Sequence, residues 1–339
     1  MLRPLLGLVL CVLFSAAYGQ EPRPQGVPSF SVSVDLIKVP ISVFDDRGTM
    51  VRDLNREDFV VYEDGVRQEV RSFGVDRNPV AAVLVLDTSA TVEKELRRIK
   101  EAAATFAGAL SPGDRISIVV FSDEAEVLLD WTSEMGRVRK ALKKVDPGWR
   151  TALYDAMYIA AAEQLSNVEG RRAVVLLTDM LNNQSSAGFE DASLAVVQSQ
   201  AALYVVSKTV MVREAARNQR RVVMLTGIYR RLFGESDYID QFFNRREAEM
   251  TDLAEKTGGR CFFPIDYDQI RSMYAEVARE LGSKYYLTYI SNQQKQPNSY
   301  HRITVEYLPP HSKLIYRKGY YHQPRRPVLR IPVRDPLFR

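Results

Sequence analysis

Apolar and polar residues alternate with a period of two near both ends of the chain. The alternating segments are residues 30–43, 59–62, 66–73, 284–291, 301–308 and 314–320. This period is typical of strands that bury one face. Asp64 and Gly65 stand between the second and third segments, and this pair favours the positive φ of a tight hairpin turn. Both ends of the chain are therefore predicted to be all-β.

The middle of the chain has a different rhythm, in which apolar runs of strand length alternate with segments of helical periodicity. The predicted strands are residues 81–86, 115–121, 173–177, 202–207 and 260–264, and the predicted helices are residues 92–110, 134–145, 152–166, 187–200, 245–257 and 267–281. This order predicts a parallel sheet with helices on both faces. Residues 125–131 are predicted to return as an antiparallel edge strand. The long connection 218–243 is either a helical insertion or a mobile arm.

Together these patterns predict an α/β fold: a doubly wound, mostly parallel sheet with a smaller all-β module built from the N- and C-terminal segments. The two parts of the β module are predicted at residues 30–76 and 284–321, and the α/β domain at residues 78–283. One β-sandwich interrupted by an inserted domain is the economical arrangement. Two separate β modules are the alternative.

The N-terminus has the features of a secretory signal peptide, because Arg3 precedes an apolar run, 5–14, and small residues near position 19. We expect residues 1–19 to be a cleaved signal peptide and 20–29 a proline-rich linker, which predicts a secreted or periplasmic protein. The apolar run is shorter than the roughly 20 residues that a membrane-spanning helix needs. An uncleaved anchor is the alternative. After cleavage only Cys261 remains, so that no internal disulfide is expected.

Composition and charge narrow the classes of function. The chain of 339 residues is 46% hydrophobic and 26% charged, which argues against wholesale disorder. Its formal net charge is only +4, so that no general attraction to nucleic acid is expected. Much of the basic excess lies in the C-terminal tail, residues 322–339. This tail is either a solvated surface or a contact with an acidic partner or an anionic envelope surface.

Polar residues in three separated segments predict a metal site. Asp87, Ser89 and Thr91 follow the strand 81–86, Thr151 precedes a predicted helix, and Asp179 follows the strand 173–177. Because parallel strands end at the same edge of a sheet, the outer two loops are expected to meet there. Hydroxyls and carboxylates suit Mg²⁺ or Mn²⁺ and do not suit zinc. With an open position, such an ion accepts an Asp or Glu carboxylate of a protein partner. Taken alone, the first segment is also what a helix cap requires.

These segments and the strands before them resemble the metal-ion-dependent adhesion site of the von Willebrand factor A domain. The chain is similar in particular to the secreted VWFA-related family of Acidobacteria, through residues 39–73 before the domain and 285–320 after it. The resemblance implies a doubly wound sheet and a protein-binding rather than a catalytic role. It assigns Asp87, Ser89 and Thr91 to the first loop of the adhesion site, Thr151 to the second and Asp179 to the third.

Three positions depart from the pattern of that family. Thr91 stands where a second serine is usual, and Ala90 and Met180 stand where glycine is usual. Thr91 keeps its hydroxyl, but Ala90 and Met180 restrict the backbone. They motivate an alternative function, a structural cell-envelope protein whose A domain is a metal-free scaffold.

Enzymatic chemistry has little support in the sequence. The three histidines, His301, His311 and His322, lie in the C-terminal β region or beyond it, so that no Ser-His-Asp arrangement is expected within the α/β domain. No glycine-rich phosphate loop precedes a helix. The chain is therefore not expected to be an enzyme, and Cys261 is interpreted as a structural rather than a reactive cysteine.

Overall fold

The computed structural model describes residues 35–89, 93–218, 238–282, 284–293, 295–310 and 312–322. The predicted signal peptide and linker, the basic tail beyond His322, Thr91 and residues 219–237 of the long connection lie outside the described residues. Within the described ranges, no helix is both long enough and apolar enough to cross a membrane.

The strands occur in three sheets. In chain order they are β1 (Leu36–Asp45), β2 (Phe59–Glu63), β3 (Val66–Gln68), β4 (Val70–Val75), β5 (Val80–Asp87), β6 (Arg115–Phe121), β7 (Ala125–Thr132), β8 (Arg171–Thr178), β9 (Ala202–Ser207), β10 (Cys261–Phe262), β11 (Tyr285–Ile290), β12 (Tyr300–Tyr307), β13 (Ser312–Tyr316) and β14 (Gly319–Tyr321).

The helices lie mostly between β5 and β11. They are α1 (Glu93–Gly108), α2 (Met135–Lys143), α3 (Leu153–Tyr158), α4 (Phe189–Gln198), α5 (Thr209–Asn218), α6 (Tyr238–Lys256) and α7 (Tyr267–Gly282), with a π-helical continuation of α3 over Ile159–Gln164 and a short 3-10 turn at Arg56–Asp58.

The central sheet has six strands in the order β10-β9-β8-β5-β6-β7. Neighbouring strands are parallel from β10 to β6, and β7 runs antiparallel to β6 at the edge, as predicted. All of β5 is buried because helices cover both faces. Leu84 and Leu86 pack with α1, α2 and α7, whereas Val83 and Val85 pack with α3, α4 and α6. This arrangement confirms the predicted doubly wound fold.

The β module combines strands from both ends of the chain. One sheet has the order β13-β1-β11-β4 and the other has the order β14-β12-β2-β3, so that each sheet takes strands from before and after the α/β domain. The two sheets enclose one hydrophobic cluster, which includes Val39, Val61, Leu287 and Ile303. The structure therefore has one two-sheet module rather than two. The predicted hairpin joins β2 to β3, with φ of 49° at Asp64 and 83° at Gly65.

Two predicted strands are divided in the structure. Residues 66–73 form β3 and the first part of β4, and residues 314–320 form parts of β13 and β14; in both cases the two strands lie in different sheets. The chain crosses between sheets at these corners. Neither glycine nor proline marks the first corner, at Glu69. The alternation of apolar and polar residues therefore continues through it as it would in a single strand.

Two helices differ from the prediction. Helix α6 begins at Tyr238 rather than at residue 245, so that the end of the long connection is helical, and α5 was not predicted. The apolar periodicity indicates a helix only over residues 245–257, and therefore it does not reveal the first turns of α6.

Candidate functional site

Asp87 and Asp179 emerge at the same edge of the central sheet. Strands β5 and β8 pair in parallel, with Leu86 opposite Leu177, and their next residues lead into the first and third predicted loops. The backbone N–H of Asp179 donates to Oδ2 of Asp87 at 3.3 Å. The two carboxylates that the sequence places far apart therefore belong to one site.

Hydrogen bonds also fasten the second loop to the other two. The N–H of Gly148 donates to the Thr88 carbonyl at 3.1 Å. The N–H of Thr151 donates to Oδ1 of Asn183 at 2.9 Å, and the N–H of Asn183 returns a bond to the Thr151 carbonyl at 3.0 Å. Thr151 is buried, with 4% of its surface exposed. The structure thus brings the loops of Asp87, Ser89, Thr151 and Asp179 together, while Thr91 lies outside the described residues.

Gly148 and Asp123 shape the second loop, although no motif in the sequence indicates either of them. A Cβ at Gly148 would lie 2.3 Å from Oγ and 2.4 Å from Cβ of Ser122, so that only glycine permits this approach. The carboxylate of Asp123 accepts from the N–H groups of Trp149, at 3.2 Å, and Arg150, at 3.1 Å. The indole of Trp149 is left 87% exposed beside the site.

Side chains of the third loop cap α3, the helix that follows the second loop. Oδ1 of Asn182 accepts from the N–H of Leu153 at 3.1 Å, and Oγ of Ser185 accepts from the N–H of Tyr154 at 3.0 Å. These bonds satisfy N–H groups that the first turn of a helix cannot satisfy internally. They fix the second and third loops against each other.

Met180 adopts the backbone conformation that favours glycine. Its φ is 61°, and its side chain is buried with 1% exposed. A residue with a Cβ loses about 1 kcal/mol or more in this conformation, and strain of this kind often concentrates at functional sites. Although methionine stands where glycine is usual, the backbone of the third loop still has the conformation that favours glycine.

Asp87 is fully buried and is held by its own loop. Its Oδ1 accepts from the Ser89 N–H at 2.9 Å and from the Ser89 hydroxyl at 2.5 Å. The second of these bonds places a hydroxyl oxygen next to the carboxylate.

Lys208 lies next to the two carboxylates, although no motif in the sequence indicates it. Its ammonium Nζ is 3.4 Å from Oδ2 of Asp87, and 7% of its side chain is exposed. Burial lowers the pKa of an ammonium, but the charges of Asp87 and Asp179 outweigh this effect and hold the pKa of Lys208 above its ordinary value. The site therefore contains a permanent positive charge that belongs to the chain.

The carboxyl group of Asp179 is difficult to ionise. Desolvation by burial, together with the negative charge of Asp87, raises the pKa of Asp179 to about 6, although Lys208 and the N–H of Leu181 act in the opposite direction. Near neutral pH the site therefore holds two carboxylates and one ammonium, a net negative charge.

Asp179→Asn is expected to stabilise the metal-free chain at pH 7. The pKa of Asp179 is about 6 in the folded chain, whereas the ordinary pKa of this group is 3.8. The free energy of unfolding of the wild-type chain therefore falls as the pH rises from 3.8 to about 6. Asparagine does not ionise and escapes this loss, which corresponds to roughly 1 to 3 kcal/mol above pH 6. Urea unfolding from pH 4 to pH 7 measures the effect. A stability difference that stays constant over this range contradicts the prediction.

A second group of ionisable side chains lies in the β module. Ligand atoms of Glu63, Asp64 and His301 lie within 4.8 Å of one another. Nζ of Lys295, whose side chain is 2% exposed, is 3.3 Å from the Glu63 carboxylate, and the Tyr320 hydroxyl donates to that carboxylate at 3.0 Å. Because protein groups already compensate the charge of Glu63, we interpret the group as a crosslink between β2 and β12.

His301 also connects Asp64 with Ser299. Its Nδ1 lies 2.7 Å from Oδ2 of Asp64, and its Nε2 lies 2.7 Å from the Ser299 hydroxyl oxygen. This is the hydrogen-bond order of a Ser-His-Asp triad, but it lies outside the α/β domain. The Ser299 hydroxyl donates its one hydrogen to the Gln296 carbonyl at 2.6 Å. It therefore does not give that hydrogen to the imidazole, as a nucleophilic serine must.

Cys261 is only partly buried, but its thiol is difficult to ionise. Desolvation raises the pKa of its thiol to about 12, so that the thiolate is scarce at neutral pH. This agrees with its interpretation as a structural cysteine.

Residues 82–182, which include the three loops, match the family model of the von Willebrand factor type A domain. Two curated proteins from different strains of Mycobacterium leprae, both described as UPF0353 proteins, are 29% identical to this chain over 108 residues. These matches cover 30% of this chain and 31% of each relative, so that the chain aligns with about a third of their length. A von Willebrand factor type A domain is thus detected in the part of the chain that carries the site.

Solved structures also show similarity to this chain. A von Willebrand factor type A protein from Catenulispora acidiphila is 10% identical, with a TM-score of 0.43 and coverage of 86% of this chain and 75% of that one. An aerotolerance-related membrane protein from Bacteroides fragilis is 17% identical, with a TM-score of 0.42 and coverage of 60% and 98%.

Proposed function

We propose that this protein is an adhesion-type binding module that engages an Asp or Glu carboxylate of a protein partner through a divalent cation, Mg²⁺ or Mn²⁺. The residues that would hold the cation are Asp87, Ser89, Thr91, Thr151 and Asp179. The observation that carries this proposal is the joining of three loops around Asp87, whose Oδ2 accepts the N–H of Asp179. The role is one of binding rather than catalysis.

The donor chemistry of the site fits such a cation. Carboxylates and hydroxyls are the ligands that hard divalent ions prefer, and the carboxylates of Asp87 and Asp179 leave the site negative despite Lys208. Bound metal would supply positive charge at the surface edge, to which a partner carboxylate can bind. The chain's own contribution is the fixed position of the loops, because Gly148, Asn182 and Asn183 tie them together.

The exposed Trp149 supports a protein partner. Large aromatic side chains contribute strongly to protein interfaces, and this indole lies two residues before Thr151 with 87% of its surface exposed. We infer that it packs against the partner beside the carboxylate contact. We also infer that the protein is secreted or periplasmic and of the secreted VWFA-related type, since its N-terminus has the features of a signal peptide.

The stability of the mature chain tests the metal. A cation that binds only the folded state, at 100 times its Kd, adds about 2.7 kcal/mol to the free energy of unfolding. We expect this rise with Mn²⁺ or Mg²⁺ and expect Thr151→Val to reduce it. Thr304→Val, the same substitution on an exposed strand position of the β module, is the matched control. No rise in wild type, or an equal rise in both variants, would count against the proposal.

Capture from envelope extract tests the partner. Wild-type chain in Mn²⁺ should retain a protein that chelator releases, and Thr151→Val and Trp149→Ala should each retain less of it. Trp149→Ala is not expected to alter the metal-linked stability, because Trp149 offers no oxygen ligand. Retention that is unaffected by chelator contradicts the metal-mediated contact.

A metal-free scaffold is the second candidate function, and Lys208 is the observation that favours it. Its ammonium already compensates part of the charge of Asp87 and Asp179. Under this proposal the protein is a structural part of the cell envelope, which it contacts through the β module and the basic tail. Deletion of residues 323–339 should then abolish envelope association, whereas the adhesion proposal expects association to persist.

A further inference from the structure

We propose that Lys208 is a tethered counter-cation that competes with divalent metal for Asp87 and so sets the metal affinity of the site. This inference rests on the proposed metal-dependent function and adds a residue that regulates it. Its basis is the position of the ammonium group, 3.4 Å from Oδ2 of the buried Asp87 carboxylate.

Both oxygens of Asp87 have partners within the chain. Oδ1 accepts two hydrogen bonds from Ser89, and Oδ2 faces the Lys208 ammonium and the Asp179 N–H. A divalent ion that binds Oδ2 would therefore lie beside an ammonium whose side chain is only 7% exposed, next to a fully buried carboxylate. Like charges at this distance repel strongly where screening is weak, so that metal binding requires Lys208 to withdraw.

The sheet determines where Lys208 starts. Thr178 of β8 pairs with Ser207 of β9, and the Lys208 N–H donates to the Thr178 carbonyl at 2.7 Å. Lys208 thus directly follows β9, just as Asp179 directly follows β8, and the two residues lie at the same level of the sheet. Its flexible stem of four carbons gives the ammonium the freedom to leave Asp87 while the backbone stays in place.

Lys284 provides a contrast within the same chain. It is also buried, with 4% exposed, but its ammonium donates to the Gly258 carbonyl at 2.7 Å, away from the three loops. Removal of either lysine takes a buried ammonium out of the folded chain. Only Lys208 faces the carboxylates of the site, and therefore only its removal should change metal affinity.

Calorimetric titration of the metal-free mature chain with Mn²⁺ tests the inference. Lys208→Met should bind Mn²⁺ at least tenfold more tightly than wild type, whereas Lys208→Arg, which keeps the charge, should not. Lys284→Met is the matched control and should bind as wild type does. Lys208→Gln removes the charge but keeps a hydrogen-bond donor for Asp87, and it replaces Lys208→Met if that variant does not fold without metal.

The outcomes separate this inference from the proposed function. Equal affinity of wild type and the neutral Lys208 variants overturns the inference and leaves the adhesion proposal standing. Binding by the neutral variants alone supports the inference and removes metal-dependent adhesion from the wild-type chain. Absence of binding in all folded variants overturns both. Melting curves with and without Mn²⁺ give a second readout, since the metal should raise the Tm of Lys208→Met more than that of Lys284→Met.

Discussion

Asp87→Ala is expected to lower the free energy of unfolding by about 3 to 5 kcal/mol in metal-free buffer, because removal of one partner from a buried ion pair leaves the other charge uncompensated. The carboxylate is fully buried and accepts bonds from Ser89 and Asp179 in addition to its contact with Lys208. Alanine removes all of these acceptors at once. Urea unfolding at neutral pH measures the loss.

A double-mutant cycle separates the ion pair from the other contacts of Asp87. Asp87→Ala combined with Lys208→Met leaves no buried ammonium without its nearest partner, so that the double variant should be less destabilised than the sum of the two single variants. Additive effects would show that Asp87 and Lys208 do not interact. A loss below about 1 kcal/mol for Asp87→Ala alone would contradict the buried position of the carboxylate.

Asp87→Ala is a poor control for the loss of a metal ligand, because it destabilises the chain whether or not metal binds. Thr151→Val avoids this difficulty, because threonine carries no charge and the backbone hydrogen bonds of residue 151 to Asn183 remain.

Gly259→Ala is expected to lower the free energy of unfolding by about 3 kcal/mol, the upper part of the range for overpacked interiors. A Cβ at this position would lie 1.9 Å from the carbonyl oxygen and 2.6 Å from the carbonyl carbon of Leu203. Leu203 belongs to β9 and pairs with Val174 of β8, so that its backbone cannot move without disturbing the centre of the sheet.

Gly136→Ala is the control for a glycine substitution in the same domain. A Cβ at Gly136 would meet nothing within 4 Å, and the residue lies in α2. Alanine favours the helix over glycine by up to about 1 kcal/mol, so that this variant should be unchanged or slightly more stable. Thermal and urea unfolding of both variants measure the contrast, and equal effects would show that the approach of Gly259 to Leu203 does not constrain the fold.

Much of the fold could be predicted from local patterns. The continuous apolar run of β5 and the antiparallel return of β7 were both predicted within two residues of their observed limits. Asp64 and Gly65 revealed their hairpin because the turn depends on the conformations of these two residues alone. The pattern did not predict the division between β3 and β4, because the spacing of apolar residues indicates which face of a strand is buried but not the sheet to which the strand belongs.

The same distinction applies to individual glycines. Gly258, which follows α6, has a φ of 79°, the left-handed conformation that commonly ends a helix. Gly259 is required for another reason, the approach of the Leu203 backbone. Gly148 is required by Ser122 in a similar way. Neither neighbour is close in the sequence, and therefore no local signal indicates the need for glycine.

By itself, the sequence determined the alternation of strands and helices and the positions of Asp87 and Asp179 at the ends of two buried strands. These features depend on the period of apolar residues and on which residues follow a strand. Only the tertiary structure decided that Lys208 stands beside Asp87. That contact depends on the order of β9, β8 and β5 in the sheet and on the register of Thr178 with Ser207. Periodicity along one segment carries no information about the order and register of distant strands, so that the charge of the site became known only from the fold.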